Sequence, residues 1–169
     1  MLKGNSFERM ESWRGQDTMK TAGKVREWAD TYNNPVSDVS IAIDDGGVGG
    51  GVVDPLKEQG VRVTAIAFGA AAEGKMQARF KNKVSEMYWV LREELREKKL
   101  RLPSDLPNGQ GAKLWAQLTQ IEWEYESDKA IRVHKRGLAD QAPSPDLADA
   151  LALAVEAKNR AKRGVGVWI

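Results

Sequence analysis

Two short β-branched runs bracket a glycine turn and one helix-length segment, and this arrangement restricts the chain more than any other part of it. Val39-Ser40-Ile41-Ala42-Ile43 ends on Asp44-Asp45, and Gly46-Gly47-Val48-Gly49-Gly50-Gly51 follows. A helix-length stretch then closes near Gly60, and Val61-Arg62-Val63-Thr64-Ala65-Ile66-Ala67 reads as a second buried strand. The spacing predicts a β-α-β unit, with the two strands as parallel neighbours joined by a right-handed crossover. The fold is therefore expected to be α/β. Open α/β sheets place ligands beyond the carboxyl ends of their strands, which is where Asp44 and Asp45 fall.

The flanking segments continue the alternation. Residues 7–13 show near period-two patterning and read as a strand, preceded by the turn dipeptide Gly4-Asn5. Residues 18–31 carry Met19, Ala22, Val25 and Trp28 at spacings of three, which predicts an amphipathic helix capped near Asp17 or Thr18. Asn33-Asn34-Pro35 breaks it. Residues 77–98 place Phe80, Val84, Met87, Tyr88, Leu91 and Leu95 on a broad apolar face and predict a long helix. A loop over 103–111, a short helix over 112–118 and a hairpin-like pair over 121–125 and 130–134 come next. Pro143-Ser144-Pro145 then opens a final helix over 145–163. Trp13, Trp28, Trp89, Trp115 and Trp123 stand mostly at apolar positions, so core packing is expected of them. A chain of 169 residues with 41% hydrophobic side chains suits one compact domain, without repeats or low-complexity tracts.

Composition narrows the chemistry. There is no cysteine and a single histidine, so a thiolate site cannot form, and His134 has no partner ligands for a zinc site. A metal here would sit on carboxylates, which suits magnesium or manganese. Asp44 and Asp45 end a strand, while Asp146 and Asp149 lie three apart in the first turn of the last helix and share a face. Plainer accounts stand beside this one. Acidic residues in a first turn complement the helix dipole and need no metal, and Asp44-Asp45-Gly46-Gly47 also fits an ordinary turn. The glycines lack the Lys-Ser/Thr of a P-loop, so the chain shows no ATP-hydrolysing motif. They also fit a dinucleotide fingerprint poorly, because Phe68-Gly69-Ala70 stand where an acidic ribose ligand belongs. No signal core or bilayer-length stretch is present, and a soluble intracellular protein without membrane contact is expected. The net charge of +2 is small, yet basic residues cluster at Lys75, Arg79, Lys81 and Lys83, and again at Lys158, Arg160, Lys162 and Arg163. The second cluster equally fits a solvated helix end.

One family has these segments in this order. Ile43-Asp44-Asp45-Gly46-Gly47-Val48-Gly49-Gly50-Gly51-Val52-Val53-Asp54, then Phe80-Lys81-Asn82-Lys83 with Glu86-Met87-Tyr88-Trp89 and Leu91-Arg92, then Leu102-Pro103 and Ser144-Pro145-Asp146-Leu147-Ala148-Asp149-Ala150-Leu151, together resemble the nuclease domain of bacteriophage terminase large subunits. Trp13-Arg14-Gly15-Gln16-Asp17-Thr18-Met19 fits the same pattern. The resemblance implies an RNase H-like fold, a mixed sheet flanked by helices. It implies a two-metal endonuclease using Mg2+ or Mn2+, cutting concatemeric viral duplex DNA with little sequence preference. Implied partners are an ATPase domain normally fused upstream, a small terminase subunit and a portal, in the cytoplasm of a bacterial host. Asp44 carries over as the strand-end metal ligand, and Asp146 and Asp149 as helix-borne ligands. Asp45 ranks below them, and Asp54-Pro55 reads as a helix start. Lys135 sits where the family has a lysine shortly before its last aspartates; with Arg136, Lys81 and Lys83 it is a candidate DNA contact.

The family begins this domain with a strand bearing a first catalytic aspartate and then a second strand, whereas this chain starts at the turn that follows. It is accordingly expected to be N-terminally truncated and to cut DNA feebly or not at all, and a non-catalytic remnant is the rival reading. Another RNase H-like enzyme, such as a junction resolvase, fits the glycine and Ser-Pro-Asp segments less well. Two structural expectations follow. Asp44, Asp146 and Asp149 converge; and the strand over 39–43, deprived of a neighbour, either receives the 7–13 strand or pairs through its edge with a second copy to form a homodimer.

Overall fold

A computed structural model describes residues 2–3, 6–7, 9–32, 40–102, 106, 109–128 and 130–163. The turn dipeptide at 4 and 5, the breaker at 33–35, the strand residue at 39 and positions 103–105, 107 and 108 of the predicted loop lie outside these. The chain divides into two compact units, one of Met1–Met10 with Gly69–Val155, the other of Glu11–Phe68 with Glu156–Ile169. No described helix is long and apolar enough to cross a membrane.

The second unit contains the β-α-β core. Helix α1 (Thr18–Tyr32) starts where Asp17 accepts the Lys20 amide on Oδ1 at 2.7 Å. Strands β3 (Ile41–Asp44) and β4 (Val63–Ile66) pair in parallel, Ile41 opposite Val63 and Asp44 opposite Ile66, with α2 (Gly50–Glu58) between them in sequence. Ala22, Val52 and Leu56 form the buried centre, and Val25, Ile43, Val61 and Val63 pack on it. The helix begins before Pro55 instead of at it, so Pro55 stands inside α2 and the expected Asp54-Pro55 helix start is replaced by a glycine one.

The glycines at the β3 end are steric requirements. A Cβ on Gly49 would lie 1.7 Å from the Asp44 carbonyl oxygen, an impossible approach, although Gly49 has an ordinary φ of −62°. A Cβ on Gly46 would meet Asp44 Oδ1 at 3.1 Å, which a small shift of that side chain relieves. Gly49→Ala is therefore expected to destabilise the fold by more than about 2 kcal/mol, read from the urea midpoint, and Gly46→Ala by much less. Equal effects of the two would refute this account of the turn.

In the first unit, β1 (Leu2–Lys3) and β2 (Ser6–Phe7) pair antiparallel, and the Phe7 amide reaches the Arg101 carbonyl at 3.1 Å. The strand expected over 7–13 goes no further than Phe7 among the described residues. Trp13 instead turns to α1, donating its indole N–H to Thr21 Oγ1 at 3.3 Å under the Lys24 ammonium. β3 pairs with β4 and with no other described strand, so the 7–13 segment does not fill its edge.

The long helix predicted from 77 is shorter. A 3-10 turn covers Gly74–Ala78, and α3 runs over Lys83–Arg96. Asn82 sets that start by accepting the Ser85 amide at 3.0 Å, while Phe80 is drawn into a bridge with Ile131. Helix α4 (Gln110–Thr119) precedes the expected hairpin of β5 (Glu122–Tyr125) and β6 (Ile131–His134), and α5 spans Asp146–Arg163. Ala72, Phe80 and Ile131 form a buried cluster with Met76 and Trp89 against it. Ser85 Oγ accepts the Val133 amide at 3.0 Å and ties α3 to β6. Among the described residues the strands form three two-stranded ladders, one parallel and two antiparallel. Trp115 and Trp123 depart from the expectation of core packing, being 49% and 41% exposed.

Candidate active site

The start of α5 is organised by residues far away in sequence. Gln117 of α4 is buried, and its Oε1 accepts the amides of Leu147 at 2.8 Å and Ala148 at 3.1 Å. These first-turn donors would otherwise need a cap. With Gln117 serving them, and with the Asp149 amide donating to the Pro145 carbonyl at 2.8 Å, the Asp149 side chain is released from capping duty.

That side chain is held by two other groups. Tyr88 of α3 donates its hydroxyl to Oδ1 at 2.6 Å, and the Lys135 ammonium lies 2.7 Å from Oδ2. Burial, then the charge of Asp149 and its hydrogen bond, then the charge of Asp146, hold the Tyr88 phenol well above its ordinary range. Tyr88 therefore stays a protonated donor at physiological pH. Lys135 is itself kept in place beyond β6, where Gln120 Nε2 donates to its carbonyl oxygen at 3.0 Å. Asp146 is exposed one helical turn before Asp149, close enough to be felt at Tyr88.

Asp44 ends β3 half-buried, and its Oδ1 accepts the Gly46 amide at 3.0 Å. The amide of Asp45 extends the ladder to the Ile66 carbonyl at 2.9 Å, and its side chain is exposed. Asp44 belongs to one unit and the Asp146–Asp149 pair to the other. Among the described residues no group of three or more histidine, cysteine, aspartate or glutamate side chains is gathered for a metal. The donors at both places are oxygens, which fits hard divalent ions. Lys135 marks a point where Asp149 already accepts a positive charge.

The candidate DNA contacts fare unequally. Lys83 is 2% exposed and paired at 3.1 Å with the equally buried Glu86, so its assignment as a phosphate contact is corrected: the cation faces inward. Lys81 is solvent-facing and held by Glu126 at 2.6 Å and Asp128 at 3.7 Å, with its pKa raised chiefly by the Glu126 hydrogen bond. Arg136 is exposed and pairs with Asp140 at 3.4 Å. His134 faces Glu124 at 2.9 Å, as a lone surface histidine would. Sequence reasoning missed Gln117 and read Tyr88 as core. The only local signal was the tyrosine hydroxyl, which on an apolar helix face requires a partner.

No protein-family model matches the sequence, and no curated protein matches it. Solved structures do. The nuclease domain of the large terminase subunit gp2 of bacterial virus Sf6 superposes with a TM-score of 0.70 at 22% identity, over 89% of this chain and 77% of that one. A lysine-to-alanine mutant of that domain with manganese gives 0.70 at 22% over 89% and 79%. The same mutant with manganese and β-thujaplicinol gives 0.69 at 19% over 89% and 77%. The chain has the fold of a terminase nuclease domain. The expected RNase H-like class is thus found, and the terminase-like fold accounts for the order of elements from the β3 turn through α5.

Proposed function

We propose that this chain is the metal-dependent DNA endonuclease part of a phage DNA-packaging terminase large subunit, acting on concatemeric viral duplex DNA in the host cytoplasm. The observation that carries this reading is the state of Asp149. A helix-start carboxylate relieved of capping by Gln117, and fixed instead by a buried phenol and an ammonium, is a preorganised anionic group with no capping role left. The fold supports the reading, as does the manganese bound in the related gp2 nuclease-domain structure.

Asp44 in one unit, and Asp146 and Asp149 in the other, are the carboxylates assigned to metal in this reading. Mg2+ or Mn2+ would supply water activation and stabilisation of the leaving oxygen. The chain's own residues do the rest. Tyr88 keeps Asp149 oriented, the Gly46–Gly51 turn holds Asp44 at the strand end, and Lys135 and Arg136 face phosphate. The ATPase domain, small subunit and portal belong to this reading as partners of the complete machine.

The test pairs manganese binding, measured by electron paramagnetic resonance, with nicking of supercoiled plasmid by the purified chain. The readout is metal dependence, not rate. Bound manganese is expected, with feeble nicking that EDTA abolishes. A chain that neither binds manganese nor nicks DNA in its presence would remove the proposal.

A further inference from the structure

The hairpin carries aromatic surface that the core does not consume. β5 is exposed along its whole length, and strand alternation puts Trp123 and Tyr125 on one face, opposite Val133 and Ile131. Trp123 is 41% and Tyr125 64% exposed. The rings continue inward as a row, Trp123 lying 5.4 Å from Tyr125 and 5.2 Å from Trp89, both edge to face. Each exposed ring is thus braced by the next and is ordered before any partner arrives.

Cations frame the row. The Arg92 guanidinium lies 4.9 Å from the Trp89 ring centroid, and the exposed Arg79 lies 5.3 Å from it. The nearby carboxylates are already engaged. Glu126 holds Lys81 and Arg132, Glu124 faces His134, and Glu93 binds Arg92 and Arg96. A strip of ordered rings beside arginines suits an anionic polymer that offers a π-face at every unit.

We propose that this face binds unpaired nucleotides, with bases stacking on Trp123 and Tyr125 and phosphates against Arg79. Duplex DNA hides its base faces and would use the arginine while leaving the rings idle. A second copy of the chain would bring the same cations against each other. The face is independent of the carboxylates assigned to metal, and it would function without them.

The test is fluorescence anisotropy of a labelled oligothymidylate of about 15 nucleotides, in EDTA so that cleavage plays no part, with a duplex of equal length as comparison. Tighter binding of the single strand is expected. Trp123→Ala and Tyr125→Ala should each weaken it about 5- to 100-fold, the range for one lost stacking platform, while Trp123→Phe retains most of it. Arg79→Ala should lower the log–log salt slope by about 0.7. Tyr125 is 64% exposed, so the thermal midpoint of Tyr125→Ala should be nearly unchanged, and circular dichroism of Trp123→Ala separates a folding defect from lost binding. Equal binding of single strand and duplex, or a W123A/Y125A double variant that binds as tightly as the parent, would overturn the proposal. So would concentration-dependent dimerisation abolished by the same double variant, which would assign the face to a second copy. Manganese-dependent cleavage is read separately, and its failure leaves this result intact.

Discussion

Lys83→Met is expected to cost about 3–5 kcal/mol of folding stability, the loss typical of removing one partner from a buried ion pair. The Lys83 side chain is 3% and the Glu86 side chain 1% exposed, with the ammonium 3.1 Å from Glu86 and 3.4 Å from Glu73. The other Glu86 oxygen accepts the Glu73 amide at 2.8 Å, so this carboxylate also anchors the segment leading into the Gly74–Ala78 turn. Methionine fills the space of the lysine stem and leaves a buried negative charge without its counterion. Glu86→Gln in the same chain removes that charge and keeps an acceptor for the Glu73 amide. The double variant should therefore regain most of the loss, a coupling that urea denaturation of all four proteins would measure. A single Lys83→Met variant within about 1 kcal/mol of the parent would show that the pair is not the organising contact taken here.

Asp149→Ala is expected to abolish manganese-dependent nicking, and Tyr88→Phe to reduce manganese affinity or nicking about 10- to 100-fold, as loss of an orienting outer partner does. The two variants separate ligation from positioning. Phenylalanine keeps the ring in its buried place in α3 and deletes only the donor to Asp149 Oδ1. Alanine at 149 removes the carboxylate that the Lys135 ammonium meets. Circular dichroism would establish that both proteins remain folded. If Asp149→Ala nicks as the parent does, the carboxylate is a strut between α3 and the segment after β6, and its part in the metal assignment is withdrawn.

Much of this was readable from short-range pattern. The β-α-β unit was legible because both strands are β-branched runs, the glycines between them leave room for one tight turn, and a helix-length stretch closes near Gly60. The placement of Asp44 at a strand end and of Asp146 and Asp149 in a helix's first turn followed from the same local signals. The long helix was overextended because an apolar stripe does not reveal a cap. Asn82 sets its start, and Phe80 ahead of it is taken by Ile131, 51 positions along the chain. The short strand β2 was likewise overextended, since Trp13 finds its partner in α1.

The sequence by itself determined which elements form and which residue types the candidate site contains, because period, turn chemistry and helix-start signals act over a few residues. Only the tertiary structure decided what the charged and polar side chains do. Whether Lys83 meets solvent or Glu86, and whether Asp149 caps its helix or is gripped by Tyr88 and Lys135 while Gln117 caps instead, depends on which segments pack together. A hydrogen bond between positions 61 apart, such as Tyr88 to Asp149, leaves no period in a sequence. Its partners are fixed by burial, where an unmatched donor or charge is costly and must be answered by whatever the fold brings near.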